Sequence, residues 1–437
     1  MKKINQGSNH MPNNAVVYSF NKEIKEILSI DANYKKGNFG LWFNKFIPVS
    51  NANENFHTCD ENGKKEEAVN YYKKFYNRMQ NNSNSPIQTL LENKHLNQYY
   101  FYKSFESKYE TIIITAKLIS PLITGIGLTH PNEVGMLFDH TIGIPYISAS
   151  SIKGDVRFAH TIGLLDDLYE NHKDEINEIK IKKNDGTYEE SSYFDDEEDW
   201  TKIPLIFGKG GDKGNVGRVI FLDAYPVNVP ELHEDIMNPH YGEYYSDVNA
   251  TKPPADYLTP KPIKFLTVSK ETKFIFRILI NKKYNDLKDN KTLKDLVLTA
   301  VRKSLEEEGI GAKTAVGYGL FNIENFSEPE SIKKLINKKE DDVKKHLEEL
   351  ENIKKNEELK NMSEVDKICY QLKNDYEESY ATNIYNKIND IQYSEEDKKK
   401  IAGELKKAWE KGGKWDEKNA SKKQKEKIKK IKLILHE

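Results

Sequence analysis

The chain has 437 residues, two cysteines and a formal net charge of −2, from 67 basic and 69 acidic side chains. That length holds two or three domains with a sizeable core, and the near balance of charge means that a polyanionic partner has to be met by a local patch. Cys59 and Cys369 stand far apart, which excludes a disulfide scaffold and a cysteine-type zinc site. The opening MKKINQGSNH has no apolar signal segment, and no apolar run approaches bilayer-spanning length, so a soluble, cytoplasmic protein without membrane contact is expected.

Residues 1–110 are polar and mixed. Within them GNFGLWFNKFI (37–47) reads as a short aromatic element and EEAVNYYKKFYNRMQ (66–80) as a helix, with a break at NNSNSP (81–86). TIIITAKLI (111–119) is β-branched and bounded by Pro121, the pattern of a strand. A loop with Gly125, Gly127, Gly135 and Gly143 follows, then SSIKGDVRFAHTIGLL (150–165), a helix opened by a serine cap. An acidic, polar insert covers 166–200, with DDEED at 195–199. Strands are predicted at 217–224, 263–268 and 273–280. KTLKDLVLTAVRKSLEEE (291–308) puts Leu293, Leu296, Val297, Ala300, Val301 and Leu305 on one helical face, and YGLFNI (318–323) reads as a last strand. The order β, α, β, β, β, α, β with long insertions approximates a ferredoxin-like βαββαβ unit, an α+β topology shared by RNA-recognition sheets.

Composition shifts after Phe326. Residues 328–437 are rich in Lys and Glu, contain one proline (Pro329) and read as an all-helical extension, giving predicted domains at 1–327 and 328–437. On that division, a chain ending near Ser327 keeps the first domain. Ser363, Ser394 and Ser421 each open a capping-box pattern. Residues 331–437 hold 27 Lys against 23 acidic side chains, and SKKQKEKIKKIKLIL (421–435) is strongly basic, by default a solvated helix face.

Two segments carry candidate chemistry. GIGAKTAVGYG (309–319) spaces its glycines as GxGxxxxxGxG, with Lys313 and Thr314 at the centre. Gly309, Gly311, Gly317 and Gly319 permit positive φ and close backbone approach, and exposed N–H groups beside an ammonium and a hydroxyl suit a phosphate backbone. The order is helix, glycine loop, strand. A P-loop needs GxxxxGK[ST] between strand and helix, and residue 307 is Glu, so that motif is excluded. The plain alternative is a helix C-cap at Gly309 followed by a turn. In GIPYISASSIKGDVR (143–157), Ser150 and Ser151 offer hydroxyls at a helix N-terminus, and Lys153 and Arg157, four apart, share a face. That is an anion site; the plain alternative is a capped helix with two exposed cations.

Together these segments resemble a known family. IPYISASSIKGDVR is similar to the "IPGSSIKGALR"-type motif of the repeat-associated mysterious protein (RAMP) superfamily of CRISPR systems, and GIGAKTAVGYGLF to its C-terminal glycine-rich loop. TGIGLTHPNEVG (124–135) and NFGLWFNKF (38–46) resemble the subgroup that forms the sixth subunit of the type III-B Cmr effector complex. The family's usual Pro-Gly before the serines is replaced by Ser148-Ala149. The resemblance covers about residues 35–325 and implies a ferredoxin-like RAMP core and a CRISPR RNA-binding subunit without catalysis, cofactor or metal. It would sit toward the 3′ end of the guide. Its implied partners are CRISPR RNA directly, target RNA indirectly, and other Cmr subunits, especially the repeated backbone subunit and the small helical subunit. Base pairing then reads sequence while the protein holds the backbone.

The competing function is guide processing by a histidine-based nuclease. His130 and His140 flank the loop before the helix motif, and Asp139 stands beside His140; a loop or core histidine is the plainer alternative. The carboxylates at 195–199 read as a solvated acidic loop. Further possibilities are another type III RAMP subunit and a protein adaptor working through the helical extension.

Overall fold

The computed structural model describes residues 16–18, 37–52, 55–60, 62–80, 86–171, 202–210, 214–238, 260, 262–287, 292–374, 377–388, 393–416 and 420–436. Two compact units divide the chain, Met1–Asn337 and Lys338–Glu437.

In chain order the first unit contains β1 (Val16–Tyr18), α1 (Phe39–Lys45), β2 (Pro48–Ala52), β3 (Asn55–Thr58), α2 (Ala68–Gln80), α3 (Pro86–Ser104) and β4 (Tyr109–Leu118). There follow α4 (Ala149–Asn171), β5 (Val219–Phe221), β6 (Tyr225–Pro226), β7 (Leu232–Met237), β8 (Ile263–Val268), β9 (Lys273–Asn281), α5 (Leu293–Lys303) and β10 (Phe321–Asn325). The main sheet runs β10–β4–β9–β5, with β6 also on β9, and every pairing is antiparallel. β4 and β9 form its centre, in register from Lys273 opposite Lys117 to Asn281 opposite Tyr109.

Strands buried on both faces carry near-continuous apolar runs, which is why 273–280 is so apolar. Ile112, Ile114, Phe274, Phe276 and Ile278 join one core with Ile152 and Val156 of α4 and Leu293, Val297 and Val301 of α5. Ile275, with Ile113 packed beside it, joins a second cluster with Leu96, Val227, Ile332 and Ile336. The second sheet face is thus covered by protein, unlike the open sheet on which RNA-recognition domains stack bases.

The structure departs from the sequence expectations at four places. The strand predicted at 217–224 is Val219–Phe221 only, because Asp223 leaves the ladder and accepts a hydrogen bond from the Ala149 N–H at 2.7 Å. Residues 263–268 form a strand but pair with β7, outside the main sheet. Helix α3 carries no clear apolar stripe in the sequence, since its core positions include His95 and the half-buried Gln98, whose polar atoms find partners across the fold. The compact units divide later than the 327/328 boundary drawn from composition. The reason is packing: the helix that starts after Pro329 buries Ile332 and Ile336 against Leu96, Val227 and Ile275.

α6 (Glu330–Asn361) starts in the first unit. The second unit continues with α7 (Glu364–Asn374), α8 (Glu378–Lys387), α9 (Glu395–Lys411) and α10 (Lys422–Leu435). Its core includes Ile368, Leu372, Ile384, Ile388, Ile401, Leu405, Trp409 and Ile431. Ser363, Ser394 and Ser421 each accept from the backbone N–H three residues on, closing the helix starts their spacing predicted. The acidic run at 195–199 lies outside the described residues.

Candidate functional site

Helix α4 begins at Ala149, and its cap is Ser148, not Ser150. Ser148 Oγ accepts from the Ser151 N–H at 3.3 Å, while the Asp223 carboxylate takes the Ala149 N–H. The positive end of the helix is therefore already neutralised by a carboxylate of the chain itself. Ser150, Ser151 and Lys153 are exposed on the first two turns, and Arg157 is half-buried. Ala149, Ser150 and Lys153 line one wall of a cleft of about 260 Å³, whose other wall is Val216, Gly217, Val219, Ile220 and Phe221.

The glycine loop begins where α5 ends in a wide turn at 304–308. Gly309, Gly311, Gly317 and Gly319 all have positive φ, and so does Lys313 at 62°. At three of the four the reason is packing against the chain. A Cβ on Gly319 would stand 1.9 Å from the Ile310 carbonyl oxygen, one on Gly311 2.5 Å from that of Ile123, and one on Gly309 2.8 Å from that of Tyr318. Around Gly317 there is open space. Ala315, Val316 and Gly317 form the exposed tip.

Most of the N–H groups in the loop are engaged by the chain, and those of Lys313, Thr314 and Ala315 are left without an acceptor among the described residues. The N–H groups of Ile310, Ala312 and Gly319 donate to the carbonyls of Gly319, Ile123 and Pro121, and those of Val316, Gly317 and Tyr318 donate within the loop. The Gly311 N–H donates to Asp155 Oδ2 at 3.2 Å. Lys313 is half-buried, with Nζ 5.5 Å from the centre of the Phe265 ring, and Thr314 turns its methyl toward Gly309. Tyr318 Oη donates to Asp235 at 2.7 Å. What the loop offers to a partner is its tip, its side chains and the three N–H groups at 313–315.

Asp155 is the residue that the sequence reading passed over. It sits inside the helix motif, on the stripe of Ser151 and opposite that of Lys153 and Arg157. Burial pushes its carboxyl up to about 6, with the Gly311 N–H pulling the other way. It joins the two predicted segments. The same helix therefore presents Ser150, Lys153 and Arg157 along one stripe while its Asp155 stripe meets the loop. A carboxylate at i+4 from a serine in the first turn was the available signal.

The nuclease candidates have structural partners. His130 stacks on Phe43, with ring centres 4.1 Å apart; its Nε2–H donates to the Phe43 carbonyl at 2.9 Å and its Nδ1 accepts from the Asn132 N–H at 3.1 Å. Burial holds it neutral, below the usual imidazole range. Asp139 is buried, which disfavours its charge, but bonds from Thr141, Tyr225 and Lys94 outweigh that and hold it well below the carboxylate range. His140 is exposed, and its carbonyl accepts from Asn38 Nδ2 at 2.9 Å. That bond fixes the NFG segment beside the loop, where Gly40 and Gly143 pass too close for any side chain. Among the described residues no group of three or more His, Cys, Asp or Glu is placed to hold a metal ion.

The family model of the RAMP superfamily matches residues 115–322. The CRISPR system Cmr subunit Cmr6 of Pyrococcus furiosus is 30% identical over 254 residues, 51% of this chain and 72% of that protein. Cmr6 of Saccharolobus solfataricus is 30% identical over 194 residues, 44% of this chain and 49% of that protein. Among solved structures, a chain of the type III-B Cmr-beta complex bound to cognate target RNA aligns with TM-score 0.35 and 20% identity, covering 70% of this chain and 87% of that one. The crystal structure of Cmr6 from Pyrococcus furiosus aligns with TM-score 0.29 and 27% identity, covering 49% of this chain and 99% of that one. With the glycine loop and the helix motif both inside the matched span, the chain belongs to the RAMP superfamily of CRISPR-associated proteins as a Cmr6-like member.

Proposed function

We propose that the chain is a non-catalytic CRISPR RNA-binding subunit of a type III-B effector complex, seated toward the 3′ end of the guide. The observation that carries this reading is the bond from the Gly311 N–H to Asp155, which holds the glycine loop against a helix whose first turns expose Ser150, Ser151 and Lys153. The β10–β4–β9–β5 order with α4 and α5 on one face supports a ferredoxin-like core. Because loop and helix N–H groups are mostly engaged, RNA is held through side chains: Ser150, Ser151, Lys153 and Arg157 on the helix, Lys313 and Thr314 at the loop. Such contacts position a phosphate backbone and leave sequence to base pairing. Partners on this reading are the repeated backbone subunit and the small helical subunit, in the cytoplasm.

Salt titration of RNA binding tests the site. Each lost phosphate contact lowers the slope of log affinity against log salt by about 0.7 for a single strand. Lys153→Ala should show that loss. Lys313→Ala should show less, because its ammonium already rests on Phe265. Unchanged affinity and slope in both variants would remove this surface from RNA binding. The purified chain should also leave repeat RNA and complementary RNA intact, with or without divalent metal. Specific cleavage that disappears in His140→Ala would replace the proposal with guide processing. Mass spectrometry of the native complex identifies the neighbours.

A further inference from the structure

The second unit treats its lysines in two ways. Lys398, Lys400 and Lys407 each pair with a carboxylate, Glu395, Asp366 and Glu404. Helix α9 opens with three acidic residues, Glu395, Glu396 and Asp397, which complement its dipole. Helix α10 does the reverse. Its first turn has no acidic side chain, and Lys422, Lys425 and Lys429 are exposed and form no ion pair among the described residues. The three stand at i, i+3 and i+7, so they share a stripe; Glu426, four residues after Lys422 and three before Lys429, borders it and offsets part of their mutual repulsion without forming an ion pair among the described residues. Lys422 also lies at the end where the dipole disfavours a cation. The helix is held by buried Ile428 and Ile431, and by Lys427 and Lys430 lying over Tyr385.

We propose that the stripe of Lys422, Lys425 and Lys429 binds the phosphate backbone of RNA, as a second contact independent of the glycine loop. The stripe covers about 10 Å of helix, and a nucleic-acid strand in a duplex carries one phosphate per about 3.4 Å of axis, so the three ammonium groups reach phosphates of one strand. A polyanion offsets the repulsion that Glu426 leaves and complements the helix dipole. Base edges play no part, since lysine stems on an exposed stripe meet only the backbone.

The test uses the full chain with two fluorescein-labelled probes of mixed sequence, a single-stranded RNA and an RNA duplex; the tighter probe tells which form supplies the phosphates. The triple variant Lys422→Gln, Lys425→Gln, Lys429→Gln should reduce the salt slope by about 2, so that across a fourfold rise in salt it loses roughly 20-fold less affinity than the parent. Its melting temperature should stay within about 2 °C of the parent's, because Gln keeps helix propensity and the lost repulsions and the lost attractions to Glu426 are each only a few tenths of a kcal/mol. Arginine at the same three positions should keep the slope, and Lys398→Gln with Lys407→Gln should leave it unchanged. Equal slopes for parent and triple variant on both probes would overturn the proposal. So would a melting temperature several degrees lower, which would make the lysines structural. Lys153→Ala and Lys313→Ala report separately on the first unit, so either site can fail alone.

Discussion

Glu328 is where the first unit closes, and removing it should show how far that unit extends. Its carboxylate takes two bonds of 2.8 Å from Arg277, one from Nε and one from Nη2, and the two side chains are 6% and 0% exposed. Gln98 accepts from the same guanidinium at 2.5 Å, and His95 Nδ1 lies 3.3 Å from it. Breaking one partner of such a buried pair costs about 3–5 kcal/mol, because the other charge stays buried without compensation. A chain ending at Ser327 loses Glu328 and also Ile332 and Ile336, whose burial contributes about 1.5–3 kcal/mol each. The total, about 6–11 kcal/mol, is comparable with the whole stability of a domain. A chain ending at Asn337 keeps all three residues. Urea unfolding of both truncated chains, followed by tryptophan fluorescence and far-UV circular dichroism, reads the difference. The shorter chain should be largely unfolded in buffer, the longer one cooperative. Glu328→Gln in the full chain should lower the midpoint of the first unit in the same direction. Equal midpoints for the two truncations would refute the reasoning and return the boundary to 327/328.

The glycine loop separates packing from access: Gly319→Ala should cost about 3 kcal/mol or more, since its Cβ meets a carbonyl at 1.9 Å, whereas Gly317→Ala should cost only about 1 kcal/mol of left-handed strain. Thermal melts of the two variants compare them directly. Burial and the Arg277 charge lower His95 to about 3, so it stays neutral in the fold while the unfolded chain takes up a proton below about pH 6.5. Its contribution to stability is therefore lost as pH falls, by about 2 kcal/mol at pH 5. Asp155 works in the opposite sense: with its carboxyl raised to about 6, the native chain binds the proton first, and stability rises as pH falls from about 6 toward 4. Asp155→Asn should accordingly show steeper acid destabilisation than the parent, by about 1 kcal/mol between pH 7 and pH 5 after discounting for partial exposure. Parallel pH profiles in denaturant would remove that assignment.

Local pattern alone marked the strand at 111–119, the amphipathic helix at 291–308, the capped helices after 362 and the two motif segments. Each depends on interactions within one or two turns, or on the alternation of a single strand, and those leave a periodic trace in the sequence. The family was legible for the same reason, because its motifs are contiguous. Tertiary structure decided the rest. Whether 263–268 joins the main sheet depends on which edge it meets, and β7 takes it. The glycines at 309, 311 and 319 suit a phosphate cradle by spacing, but the backbone of 119–123 and of the loop itself occupies their close approach. Asp155, Asp223 and Glu328 look like ordinary acidic residues in the sequence. Their roles come from Gly311, Ala149 and Arg277, which stand far away along the chain, and a hydrogen bond between distant segments leaves no local periodicity to read.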